Sequence, residues 1–514
     1  MKKYLPLFTI LLSTLTRAQV PEDALRYSFY PQNGTARNLA IGGAMGSLGG
    51  DINAAYVNPA GLGFYKTNEF VLTPGFNLNK NKASYRDNAS RNNTNSLGFG
   101  ASGVVMGFSP RYKPSVNMAF SFTITQTANF NNRIHYSGLN NYSSFSEQFA
   151  EEFAKSGYSI DDALSYNSPL PYTAGPALYT YLIDTVKVNG TYQIKAAPEY
   201  ILDAGQALFQ EMDKTTTGGI SEPALGFAWS RNNKLYLGAS LGVPLVNYTS
   251  NTVFSERDTS SNANNHFSSF SYTDNFTTKG VGINLKLGII YRPVDYIRLG
   301  LAIHTPTYYS LTDTRQTTLA TQLENPLGGF SVSSNTFTND VPGQANYGQL
   351  TPFKALLSAS YVFREVEDVK KQRAFLTADV EYVHYKGSRF NTEEKTPTTV
   401  NKTYYSSLNQ VVATDYKGNL NFRLGGELKF NVIMARLGFA YYSNPYTDAA
   451  FKASRLLLSG GLGYRNKGVF VDLTYVYSSN KDVSFPYRLS DRANTYATLN
   501  RTGGNIVATV GFKF

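Results

Sequence analysis

The sequence predicts an all-β fold, a transmembrane antiparallel β-barrel of about 14 strands with a small N-terminal plug in its lumen. Three observations predict this fold: an export signal, a long series of segments that alternate between apolar and polar residues, and an asymmetry in the lengths of the connections. The 514 residues include 38 tyrosines and 33 phenylalanines but one tryptophan, and 16% of them are charged. With a mean hydropathy of -0.28, this composition is typical of many aromatic-rich strands in which every second side chain is polar.

The chain begins with a predicted signal peptide, residues 1–18. Lys2 and Lys3 precede an apolar run from Tyr4 to Leu15, and a small-residue cleavage pattern ends at Ala18. That run is too short to span a membrane as a helix, and no apolar run long enough follows it. Since the sequence has no cysteine, it has neither a lipoprotein anchor nor disulfides. We predict export to the outer membrane of a Gram-negative cell.

Residues 19–68 form the predicted plug. Between Gly42 and Gly61 lie six glycines and four alanines, which fit neither a helical nor an alternating period. Small residues permit close backbone approach, so this segment suits a confined space enclosed by a wall. It ends in an Asn58-Pro59-Ala60 turn, a combination that also occurs as an ordinary helix cap.

The predicted wall covers residues 69–514. Its strands are expected at 69–79, 95–108, 115–130, 218–230, 234–250, 277–292, 296–313, 349–364, 373–389, 417–430, 432–444, 453–466, 468–482 and 503–514. In the sixth, Val281 and Leu285 share one face while Asn284 and Lys286 share the other. Such alternation indicates apolar side chains toward lipid and polar ones toward the lumen, although a secreted β-sandwich also alternates.

Connection lengths favour the barrel over the sandwich. Short turns are predicted at Ser109–Pro114, Arg231–Asn233, Pro293–Asp295, Glu365–Gln372, near Asn431 and at Asn466-Lys467. Most other connections are long, namely 80–94, 131–217, 251–276, 314–348, 390–416 and 483–502, whereas 445–452 is short. Outer-membrane barrels show this asymmetry between periplasmic turns and surface loops. The last strand ends in Phe514, which resembles a barrel-insertion signal.

The segment before the first strand resembles the hatch of the FadL/TodX family of outer-membrane transporters, in the form common among Bacteroidetes members. The resemblance rests on Ala36-Arg37, the run from Gly42-Gly43-Ala44 to Asp51, and Asn58-Pro59-Ala60. It implies passive uptake of hydrophobic small molecules, such as long-chain fatty acids or aromatic compounds, through a pocket at the hatch. It also implies a sideways exit at a kinked third strand, Ser115–Phe130, although breaks rich in glycine and proline occur instead in the second and fifth strands.

Two helices are predicted in the insertion 131–217. Phe145, Phe149 and Phe153 recur every four residues and predict an amphipathic helix, and Pro198–Asp213 is the second candidate. The three phenylalanines are candidate ligand-binding residues, because family members hold apolar surface loops that capture a hydrophobic molecule. Alternatively, the two helices bury their apolar stripes on each other as a lid.

Charged residues at lumen-facing positions are expected to pair, because an uncompensated charge in a confined lumen is costly. The predicted plug latch consists of Arg37, Asp51, Asp379, Glu381, Arg423, Glu427, Arg436 and Asp472. Lys286 and Arg298 face the lumen by the same parity.

Other functions lack a sequence signal. His135, His266, His304 and His384 are far apart, so neither a metal site nor a cofactor is predicted. No GxSxG motif or phosphate-binding loop occurs, and we predict that the protein is not an enzyme. The net charge of +11 suits outer-membrane lipid and lipopolysaccharide rather than nucleic acid, and a monomer is expected. The alternative to a transporter is a FadL-like barrel that acts as a shuttle or anchor in protein secretion.

Overall fold

The computed structural model describes residues 21–110, 115–188, 190–260, 262–324, 328–363, 373–449 and 451–514. The predicted signal peptide and the predicted turn at Glu365–Gln372 lie outside the described residues, as does most of the turn at Ser109–Pro114.

A closed antiparallel barrel of 14 strands dominates the described residues. The strands are β1 (Glu69–Leu72 and Pro74–Tyr85), β2 (Asn88–Phe99 and Ser102–Phe108), β3 (Val116–Asn129 and Asn132–Asn140), β4 (Leu208–Arg231), β5 (Leu235–Gly242 and Leu245–Asp258), β6 (Ser269–Val294), β7 (Ile297–His304 and Tyr308–Leu323), β8 (Gly343–Leu350 and Lys354–Phe363), β9 (Ala374–His384 and Arg389–Thr392), β10 (Gly418–Phe430), β11 (Ile433–Tyr442), β12 (Arg455–Asn466), β13 (Val469–Ser484) and β14 (Ala497–Lys513). Pairing of β14 with β1 closes the sheet and removes its edges.

Eight α-helices accompany the strands in the described residues. They are α1 (Asp23–Arg26), α2 (Ala36–Ala40), α3 (Ala54–Val57), α4 (Phe145–Ser156), α5 (Ile160–Ala163), α6 (Ala174–Tyr179), α7 (Glu199–Asp203) and α8 (Thr399–Asp415), with 3-10 turns at Pro59–Phe64, Ser334–Phe337 and Tyr385–Gly387. Smaller strands lie at Ile183–Val188, Thr191–Ala196 and Gly328–Ser333. A helix long and apolar enough to cross a bilayer was not found among the described residues.

Side-chain alternation places apolar residues on the outside of the barrel. In β6, Leu285 is 37% exposed on the outer surface, whereas Lys286 is 6% exposed and faces the lumen. The same alternation in β10 and β13 leaves Leu424 and Leu473 outside and buries Arg423 and Asp472. These outward rows form an apolar belt around the barrel, and the predicted orientation is confirmed.

Beyond the belt, toward the end with long connections, the pattern inverts. Phe254, Phe270, Tyr272 and Leu319 point inward and are buried in one cluster. This end is arranged like a water-soluble protein, with apolar side chains inside. Several strands continue into it and are therefore longer than predicted. β4 begins at Leu208 rather than at 218, and β14 begins at Ala497 rather than at 503.

Short turns close the opposite end of the barrel. Asn232 and Asn233 have φ of 56° and 53°, the left-handed pair of a two-residue hairpin turn, and Lys467-Gly468 repeats this geometry. The same geometry at Arg86 and Asp87 joins β1 to β2 at the other end. The long loop predicted at 80–94 is therefore wrong, because its polar residues continue both strands.

The helix predictions were partly correct. α4 begins at Phe145 as expected, with Ser144 as its N-cap and a capping box to Glu147. In contrast, the second predicted helix covers only Glu199–Asp203, since Leu208 and Met212 lie in β4 and pair with β3 and β5. The sequence analysis missed α8, whose buried stripe is Tyr405, Leu408 and Val412.

Candidate functional site

Residues 21–64, here named the inner segment, lie against the lumenal face of the wall. The Asn58-Pro59-Ala60 turn contacts two strands at once, because the Asn58 amide donates to the carbonyls of Ile289 in β6 (3.3 Å) and Leu301 in β7 (3.4 Å). It also donates to the Gly46 carbonyl (2.6 Å), and its oxygen accepts the Ala60 N–H. This asparagine therefore joins two parts of the inner segment to the wall.

Glycines in the wall allow the inner segment to approach this closely. A Cβ atom at Gly438 in β11 would overlap the backbone nitrogen of Gly42, and one at Gly288 in β6 would overlap the Asn58 side chain. Glycine is therefore needed at both of these wall positions.

Only some of the predicted latch residues join the inner segment to the wall. Arg37 lies 3.8 Å from Glu427 and donates to the Gly50 carbonyl, while Asp379 accepts the Gly46 N–H at 3.1 Å. Arg298, which was not in the predicted latch, donates to the Leu48 carbonyl.

The remaining predicted latch residues have partners either within the inner segment or within the wall. Asp51 accepts from the Thr35 hydroxyl and the Asn53 N–H, both in the inner segment. Wall residues pair across neighbouring strands, as Arg423 does with Glu381 (2.8 Å) and Arg436 with Glu427 (2.6 Å) and Asp472 (2.5 Å). These pairs compensate charges inside the barrel, as expected.

A cavity lies beside the inner segment, and Tyr30, Gln32 and Asn33 divide it into two lobes. The larger lobe has a volume of about 1120 Å³ and the smaller one of about 890 Å³, both including space open to solvent. The larger lobe extends along β1, β2, β3, β12, β13 and β14. Glu222, Lys286, His304, Lys354, Glu381 and Arg423 line the smaller lobe.

The backbone ladder between β2 and β3 is incomplete. Among the described residues it joins only Ser102–Phe108 to Met118–Ile124, and Asn88–Phe99 pairs with β1 alone. Both edges of this slit line the larger lobe, β2 through Gly98–Gly100 and β3 through Gln126–Asn129. The slit therefore borders the lobe on the inside, and Leu97 of β2 beside it is 80% exposed on the outside.

Side chains replace the missing ladder. Asn129 donates to the Ser96 hydroxyl (3.2 Å), and Asn33 donates to the backbone carbonyls of Phe99 (2.9 Å) and Gln126 (2.7 Å). Asn81 similarly reaches the Arg133 carbonyl at 2.6 Å. These bonds satisfy the carbonyls of Phe99, Gln126 and Arg133 at the open edges. Separation of the edges would therefore break side-chain hydrogen bonds rather than a backbone ladder.

The strand irregularities that bear on the predicted exit lie near the slit and in β5. β3 shifts its register against β4 between Gln126 and Ala128, within the range where the resemblance implied a kink. The breaks expected in the second and fifth strands are also present, after Phe99 and after Gly242.

Residues 141–207, here named the cap, cover the end with long connections. The rings of Phe145, Phe149 and Phe153 are buried in the cap cluster, and Phe145 stacks on Tyr487 with ring centroids 5.6 Å apart. This packing matches the lid alternative, but with strand residues such as Phe254 rather than a second helix covering the stripe. A ligand-binding role for the three phenylalanines stays a prediction.

Two buried carboxyl groups hold the start of α4. Glu256 accepts the Phe145 N–H (2.7 Å), the Gln210 amide (2.8 Å) and the Ser144 hydroxyl (2.5 Å). Glu147 accepts the Ser144 N–H and lies 3.0 Å from Arg492. Burial raises the pKa of each carboxyl from its ordinary value of 4.5 to about 7. Both lie beyond the apolar belt.

We therefore expect the stability of the cap to fall as pH rises from 4.5 to 7. The folded state holds these protons more tightly than the unfolded chain, so their contribution is complete below pH 4.5 and lost as pH passes the raised pKa. One pKa shift of this size changes the free energy of unfolding by about 3 kcal/mol. Thermal unfolding at a series of pH values measures this dependence of stability on pH, and the variant Glu256→Gln should show a weaker dependence. Stability that rises over this range, or an unchanged slope in the variant, contradicts the assignment.

Comparison with solved structures identifies the fold. A Pseudomonas aeruginosa FadL homologue matches with a TM-score of 0.53 and 13% identity over 94% of this chain and 99% of that chain. The Pseudomonas putida toluene transporter TodX matches with the same TM-score, identity and coverage. The chain has the FadL-type barrel fold. No family model and no curated protein matches the sequence.

In this FadL-type barrel the described residues contain no cluster of histidine, cysteine, aspartate or glutamate suited to a metal ion. The sequence analysis missed the slit residues Asn33, Gln126 and Asn129 and the lobe residues Arg455 and Arg501. Strand parity places Arg455 and Arg501 in the lumen, but their proximity depends on the register of three strands.

Proposed function

We propose that the protein is a passive outer-membrane channel for hydrophobic small molecules, such as long-chain fatty acids or aromatic compounds. In this proposal the apolar belt spans the bilayer, and the inner segment is a hatch that Asn58, Arg37, Asp379 and Arg298 latch to the wall. A ligand enters from the cap side, occupies the lobes beside the hatch and leaves sideways into the membrane.

The slit between β2 and β3 carries this proposal. An apolar solute that leaves through it passes from the lobe directly to the belt, without traversing the ion pairs beneath the inner segment. Side-chain bonds satisfy the carbonyls of Phe99 and Gln126 at its edges, which lowers the cost of an opening in a bilayer, where unsatisfied backbone groups are costly. TodX, which shares the fold, is described as a toluene transporter.

The cavity behind the inner segment supports transport rather than the alternative role in secretion. A shuttle or anchor needs an outer surface for its partners and has no use for a lumenal cavity that reaches the wall. Residues of both the inner segment and the wall line the two lobes, so a ligand bound there would lie between the hatch and the barrel.

Uptake by cells tests the proposal. We expect a Gram-negative host without its own channel of this type to accumulate radiolabelled dodecanoate or toluene faster when it expresses this protein than with an empty vector. Heat-modifiable electrophoretic mobility confirms insertion of the barrel. Uptake equal to that of the vector control for both probes, with the barrel inserted, would refute the proposed function.

A further inference from the structure

Among the described residues, three basic side chains that line the two lobes lack a carboxylate partner. Within the part of the chain that the structure describes, Lys354, Arg455 and Arg501 form no ion pair. Arg455 lies 4.3 Å from the ring centroid of Phe29, and Lys354 lies 5.5 Å from that of Tyr30. The other lysine and arginine that line the lobes are paired, Lys286 with Glu222 and Arg423 with Glu381. The cavity beside the inner segment therefore carries uncompensated positive charge.

Two of these bases flank an amide in one row across the wall. Arg455 in β12 pairs in register with Asn480 in β13, which pairs in register with Arg501 in β14. Directly opposed side chains on one face are about 5 Å apart at Cβ, so two guanidinium groups and the amide can reach one ligand group. All three line the larger lobe.

One acid lies near this row. Asp482 follows Asn480 on the same face of β13, and it accepts the Val483 N–H at 2.9 Å rather than forming an ion pair. Two guanidinium groups against one carboxylate leave a net positive charge at this end of the lobe. Such a charge favours the binding of an anion.

Part of the lobe lining beside this row is an apolar floor. Leu39 of the inner segment packs with Val476 and Val507 of the wall, and Leu457 packs against this cluster. All four residues line the larger lobe. Leu457 follows Arg455 by two positions on one face of β12, and Val476 precedes Asn480 by four on β13, so the apolar floor adjoins the basic row.

We propose that the larger lobe selects amphipathic anions, with Arg455, Asn480 and Arg501 binding the acid group and the apolar floor holding the hydrocarbon body. This inference rests on the proposed function. A neutral hydrocarbon would displace water from the two guanidinium groups without replacing its hydrogen bonds, whereas a carboxylate offers each of them a charge-assisted bond. Selection of acids over hydrocarbons would distinguish this protein from TodX, which is described as a toluene transporter.

Equilibrium binding tests the inference with two probes that differ only in the head group, radiolabelled dodecanoate and 1-dodecanol. The full-length protein in lipid nanodiscs is compared with protein-free nanodiscs at pH 8. We expect tighter binding of dodecanoate, and a loss of about tenfold or more in the double variant Arg455→Gln, Arg501→Gln, because charge-assisted hydrogen bonds are removed. Dodecanol affinity should not change. The control is Arg133→Gln, since Arg133 is paired with Asp213 and does not line the lobe.

The outcomes separate the two proposals. Equal binding of both probes to the wild type, or an equal loss of both in the double variant, overturns acid selectivity but leaves the channel in place. If the double variant does not fold, competition between unlabelled dodecanol and labelled dodecanoate on the wild type decides the question: dodecanol must compete at least about tenfold more weakly. Absence of both binding and cellular uptake refutes the proposed function itself.

Discussion

A disulfide across the slit, formed by Ser96→Cys and Asn129→Cys, is expected to reduce dodecanoate uptake to that of the empty vector. The Asn129 and Ser96 side chains bridge β2 and β3, with 3.2 Å between Asn129 Nδ2 and Ser96 Oγ, so the replaced side chains face each other across the slit. A covalent bond there prevents separation of edges that only side chains now hold. The chain has no cysteine of its own, so the introduced pair is the only one that can form.

The control places the same bond where the ladder is continuous. Asn117 in β3 and Ser230 in β4 are partners in register, with 3.4 Å between Asn117 Nδ2 and Ser230 Oγ. Oxidised Asn117→Cys, Ser230→Cys should transport like the wild type, and reduction should restore uptake through Ser96→Cys, Asn129→Cys. Full uptake through the oxidised slit pair would show that the ligand leaves by another route.

Replacement of Gly438 with valine is expected to displace the inner segment. A Cβ atom at this position overlaps the backbone of Gly42 and Ile41, which cannot move away by a change of rotamer. Overpacking of this kind costs about 1–3 kcal/mol. That cost raises the population of the displaced state by roughly 5- to 150-fold, so liposome swelling with small sugars should accelerate.

Gly460→Val is the matched control for this substitution. Gly460 lies on the neighbouring strand β12 and pairs in register with Leu437. A Cβ atom there would be 3.5 Å from the Leu437 side chain, an ordinary contact. Swelling rates that are equal for the two variants and the wild type would contradict a close-fitting inner segment.

Most of the barrel could be predicted from the sequence because strands and turns depend on residues that are close together in the chain. Outward leucines such as Leu285 and inward charges such as Lys286 alternate along each strand, and turns such as Asn232-Asn233 mark reversals. The prediction failed beyond the belt, where apolar side chains point inward instead of outward. Leu208 and Met212 fitted one face of a helix in the sequence, but they belong to β4. α8 was missed because its threonines, valines and tyrosines favour strands.

The candidate site was less predictable because it depends on which strands are neighbours. No local pattern shows that Asn88–Phe99 lacks a partner on one side, because its polar residues resemble any exposed strand. The Arg455–Asn480–Arg501 row requires the register of three strands. Asp51 was assigned to the latch from its charge, yet it binds Thr35 and Asn53 within the inner segment.

Spin labels at two positions of β13 test the central claim, that the barrel turns its apolar rows to lipid and its polar rows to an enclosed lumen. Leu473 is 54% exposed in the belt, whereas Ser478 faces the larger lobe. In lipid vesicles, a nitroxide on Leu473→Cys should collide with dissolved oxygen and be shielded from a water-soluble nickel complex. A nitroxide on Ser478→Cys should show the reverse preference. Nickel access at position 473, or greater oxygen access at position 478 than at 473, would contradict the account.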